Sequence, residues 1–161
     1  MRDNSKFVSY LFEVAWILPS VAIPVTLFVA VVITAFAVGI RVPTDVGRID
    51  PQALAQTAPF DKPGVREMAP GVYEATIIAQ VFMFTPNTIE VPAGAKVTFS
   101  LTSRDVIHGF KIEGTDANGM VVPGQITKVT ATFRTPGEYL IVCHEFCGGG
   151  HQTMYGKVIV K

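Results

Sequence analysis

Two hydrophobic rhythms divide the chain. From Val14 to Ile40 no charged residue occurs. At about 1.5 Å rise per residue, a helix of that length exceeds the roughly 30 Å hydrocarbon core of a bilayer. The pattern predicts one membrane-spanning helix over residues 10–40, starting near Tyr10 and ending near Gly39, after a polar N-terminus over 1–9. A cleaved signal peptide is the competing reading, with Arg2 and Lys6 as a weak basic start and Ala35-Phe36-Ala37 as a cleavage-like triplet. Signal cores span only about 7–15 residues, so the longer run favours an uncleaved anchor. Pro19 and Pro24 fall inside it and should bend the helix or break a backbone bond. Bilayer helices tolerate this where neighbours cover the freed groups, which points to a partner subunit.

Residues 41–71 read as a linker. Pro43, Pro51, Pro59, Pro63 and Pro70 recur with few apolar runs between them. That composition predicts extended backbone over a surface, without a packed element. From residue 72 to 161 the rhythm becomes that of strands. Candidates are Tyr73–Phe84, Thr88–Val91, Lys96–Thr102, His108–Glu113, Thr127–Phe133, Glu138–Cys143 and Tyr155–Val160. Each is rich in Val, Ile, Thr and aromatics and bounded by turn residues such as Pro92-Ala93-Gly94, Pro123-Gly124 and Pro136-Gly137. Seven short strands at close spacing predict an all-β sandwich.

Composition agrees with a membrane segment: 49% of residues are hydrophobic and 16% charged, and the formal net charge is zero. Nucleic-acid binding has no electrostatic support. With no large field to steer a partner, docking should depend on apolar contact.

The chemistry is concentrated in Cys143-His144-Glu145-Phe146-Cys147-Gly148-Gly149-Gly150-His151-Gln152-Thr153-Met154. Both cysteines and two of the three histidines lie there. Thiolate, imidazole and thioether suit copper and, less well, zinc. Three glycines allow a short loop to fold back on itself. Several sites fit. A Cys143–Cys147 disulfide leaves His151 and Met154 unexplained. Structural zinc rarely takes thioether sulfur and prefers paired ligand spacing. A mononuclear blue-copper site needs one Cys, two His and a weak axial Met, which leaves a cysteine spare; two thiolates can instead bridge two copper ions. The loop lacks one imidazole, and His108 is the available second histidine unless His144 serves. His144 adjoins Cys143, so on extended chain its side chain points the opposite way.

The loop resembles the CuA loop of cytochrome c oxidase subunit II. Asp105-Val106-Ile107-His108-Gly109-Phe110 resembles the strand that supplies its first histidine, and Arg48-Ile49-Asp50-Pro51 resembles the linker of the B-type oxidases. The resemblance implies a cupredoxin-like Greek-key β-sandwich behind one N-terminal transmembrane helix. It implies a dinuclear copper centre held by His108, Cys143, Cys147, His151, Met154 and the Glu145 backbone carbonyl. The implied partners are a cytochrome c as donor and oxidase subunit I, which holds the haem and reduces oxygen. The implied location is the cell membrane, with the copper domain on the outer face. Charge leaves that orientation undecided, since Arg2 and Lys6 flank one end of the helix and Arg41 and Arg48 the other. The alternatives from the residues alone are a membrane-anchored blue-copper carrier and a copper-delivery protein.

Three further residues carry expectations. Glu13 reads as an interfacial carboxylate reaching the headgroups, and Phe12-Glu13-x-x-Trp16 resembles B-type subunits in which such a carboxylate lies at the mouth of a proton channel in the catalytic subunit. Phe82 and Phe84 alternate about Met83 and should both face the core, with a docking or electron-entry surface as the competing reading. The Glu145 side chain permits a magnesium role by resemblance, but one carboxylate is too few ligands for an octahedral site.

Overall fold

The computed structural model describes residues 4–38 and 44–161. The predicted helix end at Gly39, the domain limits at 40 and 41, Arg2, Arg41 and Pro43 lie outside the described residues. Two compact units result, a helix and a β domain. Helix α1 spans Asn4–Val38 and begins six residues before the predicted Tyr10. The polar Asn4–Ser9 stretch joins the helix because the apolar run dictates what crosses a membrane, not where helical hydrogen bonding starts. Pro19 and Pro24 lie within the assigned helix, which runs through both. Ser20 Oγ donates to the Trp16 carbonyl at 2.6 Å and Thr34 Oγ1 to that of Ala30 at 2.8 Å. Such back-bonding keeps small hydroxyls satisfied in an apolar helix. The helix is long and apolar enough to cross a membrane.

The β domain is a two-sheet, cupredoxin-like Greek-key sandwich. One sheet runs β1 (Thr44–Arg48), β9 (Gln125–Thr132), β6 (Lys96–Ser103), β3 (Val72–Gln80), β2 (Gly64–Ala69), with β4 (Met83–Thr85) also paired to β3. The other runs β5 (Thr88–Val91), β11 (Tyr155–Val160), β10 (Gly137–Val142), β7 (His108–Ile112), β8 (Asn118–Val121). The β3–β6 and β5–β11 pairs are parallel and the others antiparallel. Between the sheets, Phe84, Phe110, Phe99, Phe133 and Tyr139 form a chain of ring contacts with centroids 5.1–6.3 Å apart. Edge-on aromatic packing of this kind adds about 0.5–1.5 kcal/mol per pair beyond burial. It braces β7 two residues beyond His108.

The 41–71 stretch differs from the expectation. Residues 44–48 and 64–69 are strands, pairing Thr44 with Lys128 and Gly64 with Thr76. Between them Ile49, Leu54 and Phe60 bury against Ile78, forming a second small core. This explains why Ala75-Thr76-Ile77-Ile78-Ala79 is almost uniformly buried: Ile77 faces the sheet-to-sheet core and Ile78 the strap. A strand covered on both faces reads as a continuous apolar run. Within this strap, residues 49–63, and just after it, Pro51, Pro59 and Pro70 fall in turns and Pro63 lies just before β2, so none of them interrupts a strand. The predicted Tyr73–Phe84 strand also divides. It turns at Val81-Phe82, pairing Gln80 with Met83, so the two phenylalanines part: Phe84 is buried and Phe82 is 38% exposed. β8 is not among the predicted strands; its Asn-Gly start hides a β pattern.

Candidate metal centre

The loop from Cys143 to Met154 leaves β10 and returns into β11. Its ends are zipped by the Val142–Tyr155 pair and by the Cys143 N–H donating to the Met154 carbonyl at 3.3 Å. Within it, a short 3-10 turn at His151–Thr153 is stitched by bonds from His151 N–H to Gly148 O and Thr153 N–H to Gly150 O. These bonds bend the loop back over the end of the sandwich. His108 opens β7 beside it, and the Gly109 N–H points at Cys143 Sγ at 3.4 Å.

The predicted donors converge. Cys143 Sγ and Cys147 Sγ stand 3.9 Å apart, and both thiols are free and buried. Cys143 Sγ lies 4.0 Å from His108 Nδ1 and donates to the Glu145 carbonyl at 3.2 Å. Cys147 Sγ lies 3.5 Å from His151 Nδ1 and 3.7 Å from Met154 Sδ. Two ligands of one tetrahedral ion, each about 2.0–2.3 Å from it, sit roughly 3.3–3.8 Å apart. The 3.5 and 3.7 Å spacings fall in that range and the 3.9 and 4.0 Å spacings lie just above it, so the donors stand within reach of shared ions. Among the described residues, His108, Cys143 and Cys147 are mutually close enough to hold a metal. Each sulfur also has its own imidazole, which gives the cluster two halves.

Burial grades the donors. His108 has no exposed surface, Met154 and both cysteines are buried, and His151 and Glu145 are half-buried. The Phe146 ring stands 5.9 Å from that of His151, and Phe146 is itself 76% exposed. His144 stays outside the cluster and exposed. Its ring and backbone crowd Gly109, where a β-carbon would come within 2.6 Å. Glu13 is exposed on α1, in the other unit.

Burial, then the neighbouring Cys143, pushes the Cys147 thiol up to about 11. Without a cation the site thus favours the protonated thiol; a bound cation reverses that preference by stabilising the thiolate. Asp105 is a neighbour of the donor set that sequence reasoning misses. Partial burial works against its charged form, but bonds from His108 and from the Val81 and Val106 N–H groups more than offset this and hold its pKa below the usual carboxylate value. The signal in the sequence is the Asp-x-x-His spacing. Phe82, expected in the core, instead packs its ring on Gly148 and Gly150 of the loop.

The family model for cytochrome c oxidase subunit II, periplasmic domain, matches residues 73–161, more than half of the chain. A cytochrome c oxidase subunit 2 of Thermus thermophilus is 40% identical over 157 residues, spanning 93% of this chain and 92% of that one. The chain belongs to the cytochrome c oxidase subunit II family. A second Thermus thermophilus cytochrome c oxidase subunit 2 is 46% identical over 116 residues, 71% of this chain and 86% of its own length. A chain from a cryo-EM structure of a haem–copper terminal oxidase dimer superimposes with a TM-score of 0.75 at 34% identity, covering 92% of this chain and 99% of that one. As a subunit II, the chain is part of an oxidoreductase complex, a terminal oxidase. Copper is the metal that membership implies, and the soft donor set fits it. The apolar helix α1 fits a membrane-anchored protein.

Proposed function

We propose that the cluster holds a dinuclear copper centre, CuA, that accepts electrons from a cytochrome c and passes them to haem in oxidase subunit I, where oxygen is reduced to water. The observation that carries this reading is the pair of free, buried sulfurs 3.9 Å apart, each with its own histidine. A mononuclear blue-copper site uses one cysteine and leaves the other idle; a structural zinc site has no use for Met154.

When bound, the copper pair supplies a one-electron relay. The chain's own residues do the rest. Cys143 and Cys147 would hold the copper as thiolates, releasing their protons on loading. His108 and His151 would each hold one side. Met154 and the Glu145 carbonyl would act as weak ligands that adjust potential. The braced β strands keep these donors in place in both oxidation states, which keeps reorganisation small. The helix anchors the domain at the outer face of the cell membrane. Glu13, exposed on that helix, would serve the mouth of a proton path in subunit I. Glu13→Gln should then slow proton uptake by the assembled oxidase and leave copper reduction intact; unchanged turnover across pH removes that role.

The deciding experiment is copper stoichiometry with the EPR spectrum of the oxidised, copper-loaded chain. Two coppers and one unpaired electron shared equally between two nuclei is the expected result. One copper with a four-line signal overturns it in favour of a blue-copper carrier.

A further inference from the structure

The surroundings of His108 point to a residue that the donor set does not include. A fully buried imidazole needs a partner for each ring nitrogen. Nδ1 faces the cluster, and Nε2 lies 2.9 Å from Asp105 Oδ1. An ionised carboxylate can only accept, so Nε2 carries a proton, and in the neutral ring that a metal ligand must be, Nδ1 keeps its lone pair toward Cys143. Asp105 is itself held from three sides. Its Oδ1 accepts from the Val106 N–H at 2.7 Å. Its Oδ2 accepts from the Val81 N–H at 2.8 Å. Val81 begins the turn whose next residue, Phe82, packs on Gly148 and Gly150. One carboxylate therefore ties the first histidine to the aromatic cover of the ligand loop.

We propose that Asp105 is the positioning residue of the metal centre, holding His108 as the Nε2–H tautomer with Nδ1 turned to the metal, and fixing the Phe82 turn over the loop. Asp105 lies outside the donor group of His108, Cys143 and Cys147. It acts through His108 on one side and through Val81 on the other. A carboxylate behind a metal-bound histidine raises the basicity of the ligating nitrogen and locks the ring plane. It also places a fixed negative charge near the centre, which favours the more positive, oxidised state. This rests on the reading above only in taking His108 as a ligand; the number of metal ions does not enter.

The test uses the full chain in detergent. In copper-free protein with 15N-labelled histidine, His108 should show one tautomer, protonated at Nε2. Asp105→Asn removes the charge at nearly constant shape, and Asp105→Ala removes every bond. Both should lower copper affinity, measured against a competing chelator, by about 10–100-fold. Asp105→Asn should also raise the midpoint potential of the loaded chain. A wild-type His108 protonated at Nδ1 overturns the proposal, whether or not the variants fold. So does Asp105→Asn binding copper with wild-type affinity and potential. Because the tautomer is read without copper, a mononuclear outcome of the EPR experiment leaves this test standing.

Discussion

The ring of Phe82 lies so close to Gly150 that a β-carbon at position 150 would meet it at 2.5 Å. Gly150 has φ −101°, a value any residue adopts, so glycine is required there for space. Gly148 differs. Its φ of +131° disfavours other residues, and its β-carbon would come within 3.1 Å of Phe82. Gly149 has neither a positive φ nor a neighbour within 4 Å.

The three glycines should therefore separate on substitution. Gly150→Ala should cost about 1–3 kcal/mol by overpacking and weaken copper binding, and adding Phe82→Ala should recover part of the loss. Gly149→Ala should stay within about 0.5 kcal/mol of wild type. Denaturant melts of the singles and the double variant decide it. Equal losses at 149 and 150 would contradict the steric account.

Copper-free protein should lose stability in alkali. The folded Cys147 thiol titrates at about 11, above the ordinary value of 9.0. A raised pKa means that the folded state holds the proton more tightly, so the contribution is complete below about 9 and is lost as pH rises toward 11. Melting temperature should fall across that window, and Cys147→Ser should flatten the fall. Asp105 works in the opposite sense. Its depressed pKa contributes stability above the usual carboxylate range that is lost in acid, so Asp105→Asn should shrink the acid limb of the same melting series.

Met154→Leu separates ligation from packing. Met154 is buried, and leucine conserves its volume, so the copper-free melt should change by less than about 1.5 kcal/mol. The thioether 3.7 Å from Cys147 Sγ is gone. Copper should still bind with a changed potential and visible spectrum. Identical spectra would remove Met154 from the site.

Phe60→Ala tests the strap. Phe60 is 1% exposed in the small core with Leu54 and Ile78. Its truncation should cost about 3–5 kcal/mol, read by denaturant unfolding of the β domain. A loss below about 1 kcal/mol would return this stretch to a loosely held linker.

Much of the site is legible because metal chemistry constrains residue type. Few roles explain Cys-x3-Cys-x3-His-x2-Met together, and the structure brings those side chains to one place beside His108. The edge strands are not legible. Thr44–Arg48 and Gly64–Ala69 carry weak β patterns of their own and are strands because β9 and β3 offer backbone partners. Phe82 is misplaced by period-two reasoning because that reasoning assumes an unbroken strand, and a two-residue turn interrupts it.

The sequence by itself determined what local chemistry and local periodicity can specify: an apolar run long enough to cross a bilayer, a set of β segments, and a soft donor set on one short loop. Only the tertiary structure decided how distant residues act on that loop. Asp105 reaches His108 and Val81, Phe82 reaches Gly150, and Ile78 reaches the strap, each through contacts that depend on strand pairing across the sheets. Donor identity is a property of a side chain. The tautomer of a histidine, the room left for a glycine and the cover over a strand belong to what the fold packs against them.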